Sequence, residues 1–149
     1  MIDFQRTNPS QNDFIDLVRE LDADLKIRDG DDHSFYDQFN KIQNLKYCLV
    51  AYEHKVAVGC GAIKPFDAQT MEVKRMFVLP DYRGKGIAAK VLKELEIWAK
   101  ELDFSACVLE TGVKQPEAIA LYKKCGYQIT DSYGQYMGID NSICFNKNL

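Results

Sequence analysis

No apolar run in this 149-residue chain is long enough to suggest a membrane span, and Met1-Ile2-Asp3-Phe4-Gln5-Arg6 does not read as a signal peptide. The expected location is the cytoplasm, with no membrane partner. A basic charge balance is also missing. The 19 Lys and Arg against 22 Asp and Glu leave a formal net charge of −3, which argues against nucleic acid as a partner, because neutralising phosphates needs a basic face. The five cysteines, at 48, 60, 107, 125 and 144, form no C-x-x-C pair, and their count is odd. Cys48, Cys60, Cys107 and Cys144 fall in apolar strand-like runs, where a reduced thiol acts as a small hydrophobe. His33 and His54 lack ligand-like companions, so no metal site is expected. There is no repeat, low-complexity tract or linker. What remains is ordinary globular composition, 46% hydrophobic and 28% charged, at a length that fits one domain over residues 1–149 with a substantial core.

Periodicity sets the expected elements. Ile2 to Arg6 reads as a short strand, and Asn8-Pro9-Ser10 supplies helix-start chemistry. Phe14, Leu17, Val18, Leu21 and Leu25 then recur at helical spacing. Asp29-Gly30-Asp31-Asp32 ends that helix, and a shorter one is predicted from about Ser34 to Ile42. Three strands follow, Tyr47 to Tyr52, Val56 to Ile63 and Met71 to Leu79, joined by short polar turns such as Glu53-His54-Lys55 and therefore antiparallel. Ile87, Val91, Leu92, Leu95, Trp98, Ala99 and Leu102 form one apolar helical stripe, opposed by Lys90, Lys93, Glu94, Glu96, Lys100 and Glu101. Ala106 to Thr111 reads as a buried strand and Gln115 to Cys125 as a helix closed by Gly126. Tyr127 to Thr130 and Ser142 to Asn146 are the last strands. The order is β-α-α-β-β-β-α-β-α-β-β.

The most informative stretch runs from Val73 to Ala88. A strand-like run ends at Pro80, a basic glycine-rich turn follows (Arg83-Gly84-Lys85-Gly86), and an amphipathic helix begins at once. Glycines let backbone N–H groups approach an anion, a helix N-terminus adds partial positive charge, and Arg83 and Lys85 add two full charges. A pyrophosphate or similar polyanion suits such a cradle. A Walker loop is excluded, because Gly86 is followed by Ile87 and not Lys-Ser/Thr. Gly84-x-Gly86-x-x-Ala89 satisfies the dinucleotide pattern, but that pattern belongs to the first turn of a parallel βαβ unit, and here it follows an antiparallel meander. Arg83-x-x-Gly86-x-Ala88 instead resembles the Q/R-x-x-G-x-G/A turn of the GCN5-related N-acetyltransferases, the GNAT superfamily. Ala118-x-x-Leu121-Tyr122-x-x-x-Gly126-Tyr127 resembles that family's A-x-x-L-Y-x-x-x-G-F/Y signature. The best-matched portion is Glu72 to Tyr127, and the element order is similar from end to end.

The resemblance implies a mixed α/β fold with a central, mostly antiparallel sheet flanked by helices, and acetyl-CoA as acyl donor. Its pyrophosphate would sit on Arg83, Gly84, Lys85, Gly86, Ile87 and Ala88. Its pantetheine arm would lie along the backbone of Met76, Phe77 and Val78, with the Met76 N–H facing the thioester carbonyl. Gln115 stands where the family commonly has an asparagine on that arm, which moves the amide outward by one methylene. Tyr122 takes the position of the tyrosine that protonates the departing thiolate. Substrate walls would come from about Leu21 to Leu45 and Ser132 to Ser142, and relatives commonly form homodimers.

The acceptor chemistry can be weighed on the residues. A free alkylamine has a pKa of ~10.4, so a neutral nucleophile is scarce at pH 7 without a base or desolvation. Glu72 occupies the place where histone-lysine acetyltransferases of the superfamily carry their general base. Alternation puts Glu72, Lys74, Met76 and Val78 on one face of the strand. The competing reading is a strand carboxylate salt-bridged to Lys74. Glu110, ending the buried run Ala106–Glu110 near the point where the strands should splay, is the candidate contact for the substrate ammonium. No cysteine sits in a nucleophile motif, so transfer is direct and not through an acetyl-enzyme. The expectation is an acetyl-CoA-dependent N-acetyltransferase acting on a primary amine of a small molecule or amino acid. Protein lysine or N-terminal acetylation is the alternative within the class. A non-catalytic acyl-CoA-binding module and a dehydrogenase are the alternatives outside it.

Overall fold

A computed structural model describes residues 1–29 and 44–149. The helix predicted at Ser34 to Ile42 lies outside the described residues. The strands are β1 (Ile2–Thr7), β2 (Tyr47–Glu53), β3 (Val56–Pro65), β4 (Thr70–Val78), β5 (Ala106–Gly112), β6 (Gln128–Thr130) and β7 (Ser142–Asn148). The helices are α1 (Asn12–Asp29), α2 (Ile87–Glu101) and α3 (Pro116–Lys124). One seven-stranded sheet runs in the order β1-β2-β3-β4-β5-β7-β6. Every neighbouring pair is antiparallel except β4 with β5. The β2–β3 connection is the expected hairpin: His54 and Lys55 both take left-handed conformations, φ 50° and 67°, whose twist matches the strands they join.

The sheet buries both faces. Phe14, Leu17, Val18 and Leu21 of α1 pack on Cys48, Val50, Cys60, Ala62 and Phe77. Val91, Leu92, Leu95 and Ala99 of α2 pack on Leu49, Ala51, Val58, Ile63, Met71 and Val73 on the other side. The helical stripes read from the sequence are these two contacts. Among the described residues no helix is long and apolar enough to cross a membrane.

Two features of the sheet create the functional cleft. First, β4 and β5 pair only over Thr70–Glu72 and Ala106–Val108. Beyond that point β4 stays with β3 and β5 follows β7, so the parallel strands part and leave a wedge. Second, β4 carries a bulge. Cys60 pairs with Phe77 and Ala62 with Lys74, so Arg75 and Met76 together oppose Gly61, with Arg75 at φ 59°. A bulge shifts the side-chain alternation by one. Glu72 and Lys74 therefore share the α1 face with Phe77, while Met76 and Val78 turn to the α2 face. A Cβ on Gly61 would come within 2.8 Å of Met76 Sδ and of Leu95 Cδ1, so the glycine makes room for that turn. The single face expected for Glu72, Lys74, Met76 and Val78 is corrected accordingly.

Glu96 is a second correction. Helical spacing puts it on the solvated face of α2, yet it is 5% exposed. Tyr127 donates its hydroxyl to Glu96 Oε2 at 3.0 Å, and Lys147 Nζ reaches Oε1 at 3.0 Å. Lys147 also donates to the Cys125 carbonyl at the end of α3. A buried carboxylate is tolerated because it is both paired and hydrogen-bonded. The network ties α2, the α3 terminus and β7 together behind the wedge.

The thiols predict an alkaline weakness. Cys48, Cys60, Cys107 and Cys144 are buried as expected, and burial pushes the first three up to about 12. An unfolded thiol titrates near 8.5, so between these values the unfolded chain binds fewer protons and stability falls as pH rises. Urea midpoints should hold up to about pH 8 and drop steadily from pH 9. A flat profile from pH 8 to 11 would contradict the burial of these thiols.

Candidate active site

Two chambers open along the wedge, of about 320 and 120 Å³. Both are lined by Leu21, Met76, Gln115, Ala118 and Tyr122, so they form one cleft with a waist. The larger chamber is bounded by Met76, Phe77 and Val78 of β4, by Arg83, Gly84 and Gly86 of the turn, and by Ile87, Ala88 and Ala89 of α2. From α3 come Glu117 and Leu121, and from α1 Asp24.

The turn is built to receive an anion. Gly84 and Gly86 take φ 80° and 78°, and a Cβ at either would meet nothing within 4 Å. They are required by conformation, and they face open space. Gly86 is the N-cap of α2 with no side-chain cap hydrogen bond, which leaves the first N–H groups of that helix aimed at the chamber. Arg83 lines the same wall, with its Nε donating to the Val78 carbonyl at 2.9 Å and its guanidinium over the Phe77 ring. That bond holds the guanidinium against the end of β4. Lys85 is exposed and does not line the chamber; its Nζ lies 5.2 Å from the Tyr82 ring centroid. Beyond Glu72, among the described residues, the edge of β4 toward β5 has no strand beside it. Its backbone is positioned to pair with an extended ligand.

Tyr122 stands at the waist. It is 7% exposed, and its ring is held edge-on by Tyr127 and tilted against Phe145 at centroid distances of 6.1 and 5.8 Å. Burial, then the charge of Glu110, raises its pKa, so the phenol keeps its proton at neutral pH. The Gly126 cap that terminates α3 (φ 94°) completes the turn that sets this helix: Tyr127 N–H bonds the Tyr122 carbonyl at 3.0 Å and Gly126 N–H that of Lys123 at 3.2 Å.

The smaller chamber gathers the charged groups. Glu72, Lys74 and Arg75 come from β4, Glu110 and Thr111 from β5, Leu25 from α1 and Tyr136 from the connection before β7. Glu72 is 6% exposed. Its Oε2 accepts the Tyr133 hydroxyl at 2.8 Å, and its Oε1 lies 3.7 Å from Lys74 Nζ. Burial first, and then the charge of Glu72, raises the pKa of Tyr133, so the phenol stays a donor. Glu110 accepts a hydrogen bond from Ser142 of β7. Arg75 pairs with Asp22 of α1, which fastens the chamber's wall to the bulge.

The residues read from the sequence thus fall on one cleft, Lys85 excepted. Of the walls expected at Leu21 to Leu45 and Ser132 to Ser142, Leu21, Leu25 and Tyr136 are observed; residues 30–43 lie outside the described residues. The individual parts of Tyr133 and of Lys74 as a chamber residue had no sequence signal beyond hairpin position and strand alternation.

The acetyltransferase (GNAT) family model matches residues 15–127. The chain is 36% identical over 133 residues to an IAA acetyltransferase of Azospirillum brasilense, covering 88% of this chain and 87% of that protein. A solved structure from Klebsiella pneumoniae, described as an acyl-CoA N-acyltransferase, superposes with a TM-score of 0.84 at 30% identity, covering 100% of this chain and 98% of that one. A GNAT family acetyltransferase from Elizabethkingia anophelis, crystallised with acetyl-CoA bound, gives 0.74 at 21% identity over 99% and 98% of the two chains.

Proposed function

The chain belongs to the acetyltransferase (GNAT) family and is an acyltransferase, and from that premise we propose that it moves the acetyl group of acetyl-CoA directly to the amino group of a small molecule. The observation that carries this reading is the waisted cleft. A glycine cradle at one end and a chamber with two carboxylates at the other meet at a protonated tyrosine. The donor would enter from the cradle, with its pyrophosphate on Gly84, Gly86 and the α2 N-terminus, assisted by Arg83. Its pantetheine arm would lie along Met76–Val78 and near Gln115. The acceptor would occupy the smaller chamber.

Each chemical requirement then has a residue. Glu72 takes the proton of the attacking amine, directly or through water. The Met76 N–H faces the thioester carbonyl, where negative charge develops. Tyr122 donates to the departing thiolate. Glu110 holds the incoming ammonium. A small acceptor is favoured because the described residues bound only about 120 Å³, close to a cavity that just holds benzene. Thiol release from acetyl-CoA, measured across a panel of amines, tests the reaction. CoA binding without release to any amine would reduce the protein to a binding module.

The cradle has its own test. Gly86→Val adds a β-branched side chain at φ 78° and fills the space the anion would occupy. The Kd for CoA, read by calorimetry, should rise at least about tenfold, or ~1.4 kcal/mol, in protein that still melts cooperatively. Arg83→Ala should weaken binding less and flatten its salt dependence, since a partly exposed charge is screened. Unchanged affinity in folded Gly86→Val would remove the cradle from the reading.

A further inference from the structure

The smaller chamber holds a cation that the proposed reaction does not use. Acetylating an amine calls for a carboxylate to receive the ammonium, and Glu72 and Glu110 already supply two. Lys74 nevertheless lines the same chamber, with its side chain only 8% exposed. Among the described residues its ion-pair contact is Glu72 Oε1 at 3.7 Å, beyond hydrogen-bond distance, and the other Glu72 oxygen is taken by Tyr133. Burial first, together with the like charges of Lys64 and Arg75, lowers the Lys74 pKa against the opposing charges of Glu72 and Glu110. Arg75, the other cation on this wall, is engaged by Asp22.

Placement gives the cation a direction. Glu72 is the last residue of β4 that pairs with β5, opposite Val108. Two residues further along each strand stand Lys74 and Glu110, on opposite sides of the opening wedge. The chamber therefore has positive charge on the β4 wall, negative charge on the β5 wall and Glu72 at the root between them. A plain alkylamine leaves Lys74 facing apolar ligand. A diamine brings a second ammonium against it, a like-charge contact in a site of reduced dielectric. A ligand with an ammonium at one end and a carboxylate at the other matches the pattern.

Resting on the acetyltransfer reading above, we propose that the acceptor is a small amino carboxylate, a free α-amino acid in the simplest case, whose carboxylate is held by Lys74 while Glu72 and Glu110 receive its amino group. The reacting bonds are those of the parent reaction: N–C forms and C–S breaks, one proton of the ammonium passes to Glu72, and the thiolate takes a proton from Tyr122, which the second proton lost by the nitrogen replaces. Lys74 makes no bond to a reacting atom. It is a specificity-determining residue, and it selects through an ion pair in a partly desolvated chamber.

The test uses the whole enzyme, acetyl-CoA and matched sets of three acceptors: each of the twenty standard α-amino acids, its carboxamide and its decarboxylated amine. For the accepted side chains, wild type should show kcat/KM at least tenfold higher for the acid than for either partner. Lys74→Met should erase that preference by raising KM for the acid at least tenfold more than for the amide or the amine, and Lys74→Arg should restore part of it. A lysine that only tunes Glu72 would move all three acceptors alike, and that result overturns the proposal. So does wild-type turnover that is indifferent to the carboxylate, or no transfer to any amino acid while CoA still binds. Calorimetry with CoA separates the two levels: failure to bind CoA removes the parent reading, whereas CoA binding with carboxylate-blind transfer removes only this one. The wild-type comparison stands even if a Lys74 variant fails to fold.

Discussion

Tyr122→Phe should bind CoA like wild type and turn over roughly 10²-fold more slowly, the loss typical of a general acid. The substitution removes one oxygen from a side chain wedged between Tyr127 and Phe145. Among the described residues that hydroxyl makes no hydrogen bond, so folding stability should barely change. The energetics of proton donation look unfavourable at first, because a phenol of pKa ~10 is a weaker acid than a thiol of pKa ~8.5. Burial raises both groups, the phenol as well as the thiol. The same fold pushes its own buried thiols up to about 12, and a thiolate released at the closed waist of the cleft is desolvated in the same way. The phenol therefore meets the departing sulfur as a charge-assisted hydrogen-bond donor, and its proton follows as the C–S bond breaks. The defect should therefore shrink with an acetyl donor whose leaving group is stable as an anion. Turnover near wild type with acetyl-CoA would make Tyr122 a packing residue only.

The parts of the molecule that were legible in the sequence are those written by local rules. Apolar residues at helical spacing placed α1 and α2, and the polar pair His54-Lys55 marked the hairpin. Two glycines after a proline-terminated strand located the cradle, because a turn with positive φ and a close backbone approach both demand glycine. The illegible parts depend on what one strand does opposite another. Nothing in Glu72-Val73-Lys74-Arg75-Met76 announces a bulge, yet Arg75 at φ 59° moves Met76 and Val78 to the other face. Glu96 sits between apolar residues on α2 and reads as solvated. Only the tertiary arrival of Tyr127 and Lys147 makes its burial tolerable. Tyr133 meets Glu72 from 61 residues away, a distance over which periodicity carries no information. The wedge itself follows from where the β4–β5 ladder stops, and ladder length is settled by the sheet as a whole.

Glu72→Gln should be the other severe lesion, lowering kcat at neutral pH by roughly 10² to 10³-fold with little change in CoA affinity. The amide has nearly the shape of the carboxylate, and its oxygen can still accept the Tyr133 hydroxyl that Glu72 Oε2 accepts now. What disappears is basicity. Loss of a base makes the rate depend on amine that is already neutral, so activity should climb with pH as the acceptor loses its own proton. That recovery is to be read between about pH 7 and 9, because above this range the buried thiols withdraw stability from wild type and variant alike. Glu110→Gln should behave differently in kind. Losing a contact to the ammonium weakens the ground state and the transition state together, so KM for the amine rises while kcat is held and the pH profile keeps its shape. If the two phenotypes are exchanged, the base is Glu110 and Glu72 is the anchor. If both variants keep wild-type pH profiles, deprotonation runs through neither carboxylate. Deprotonation through water beside the Tyr133-Gly134-Gln135-Tyr136 loop then becomes the route to test, since Tyr136 lines the same chamber.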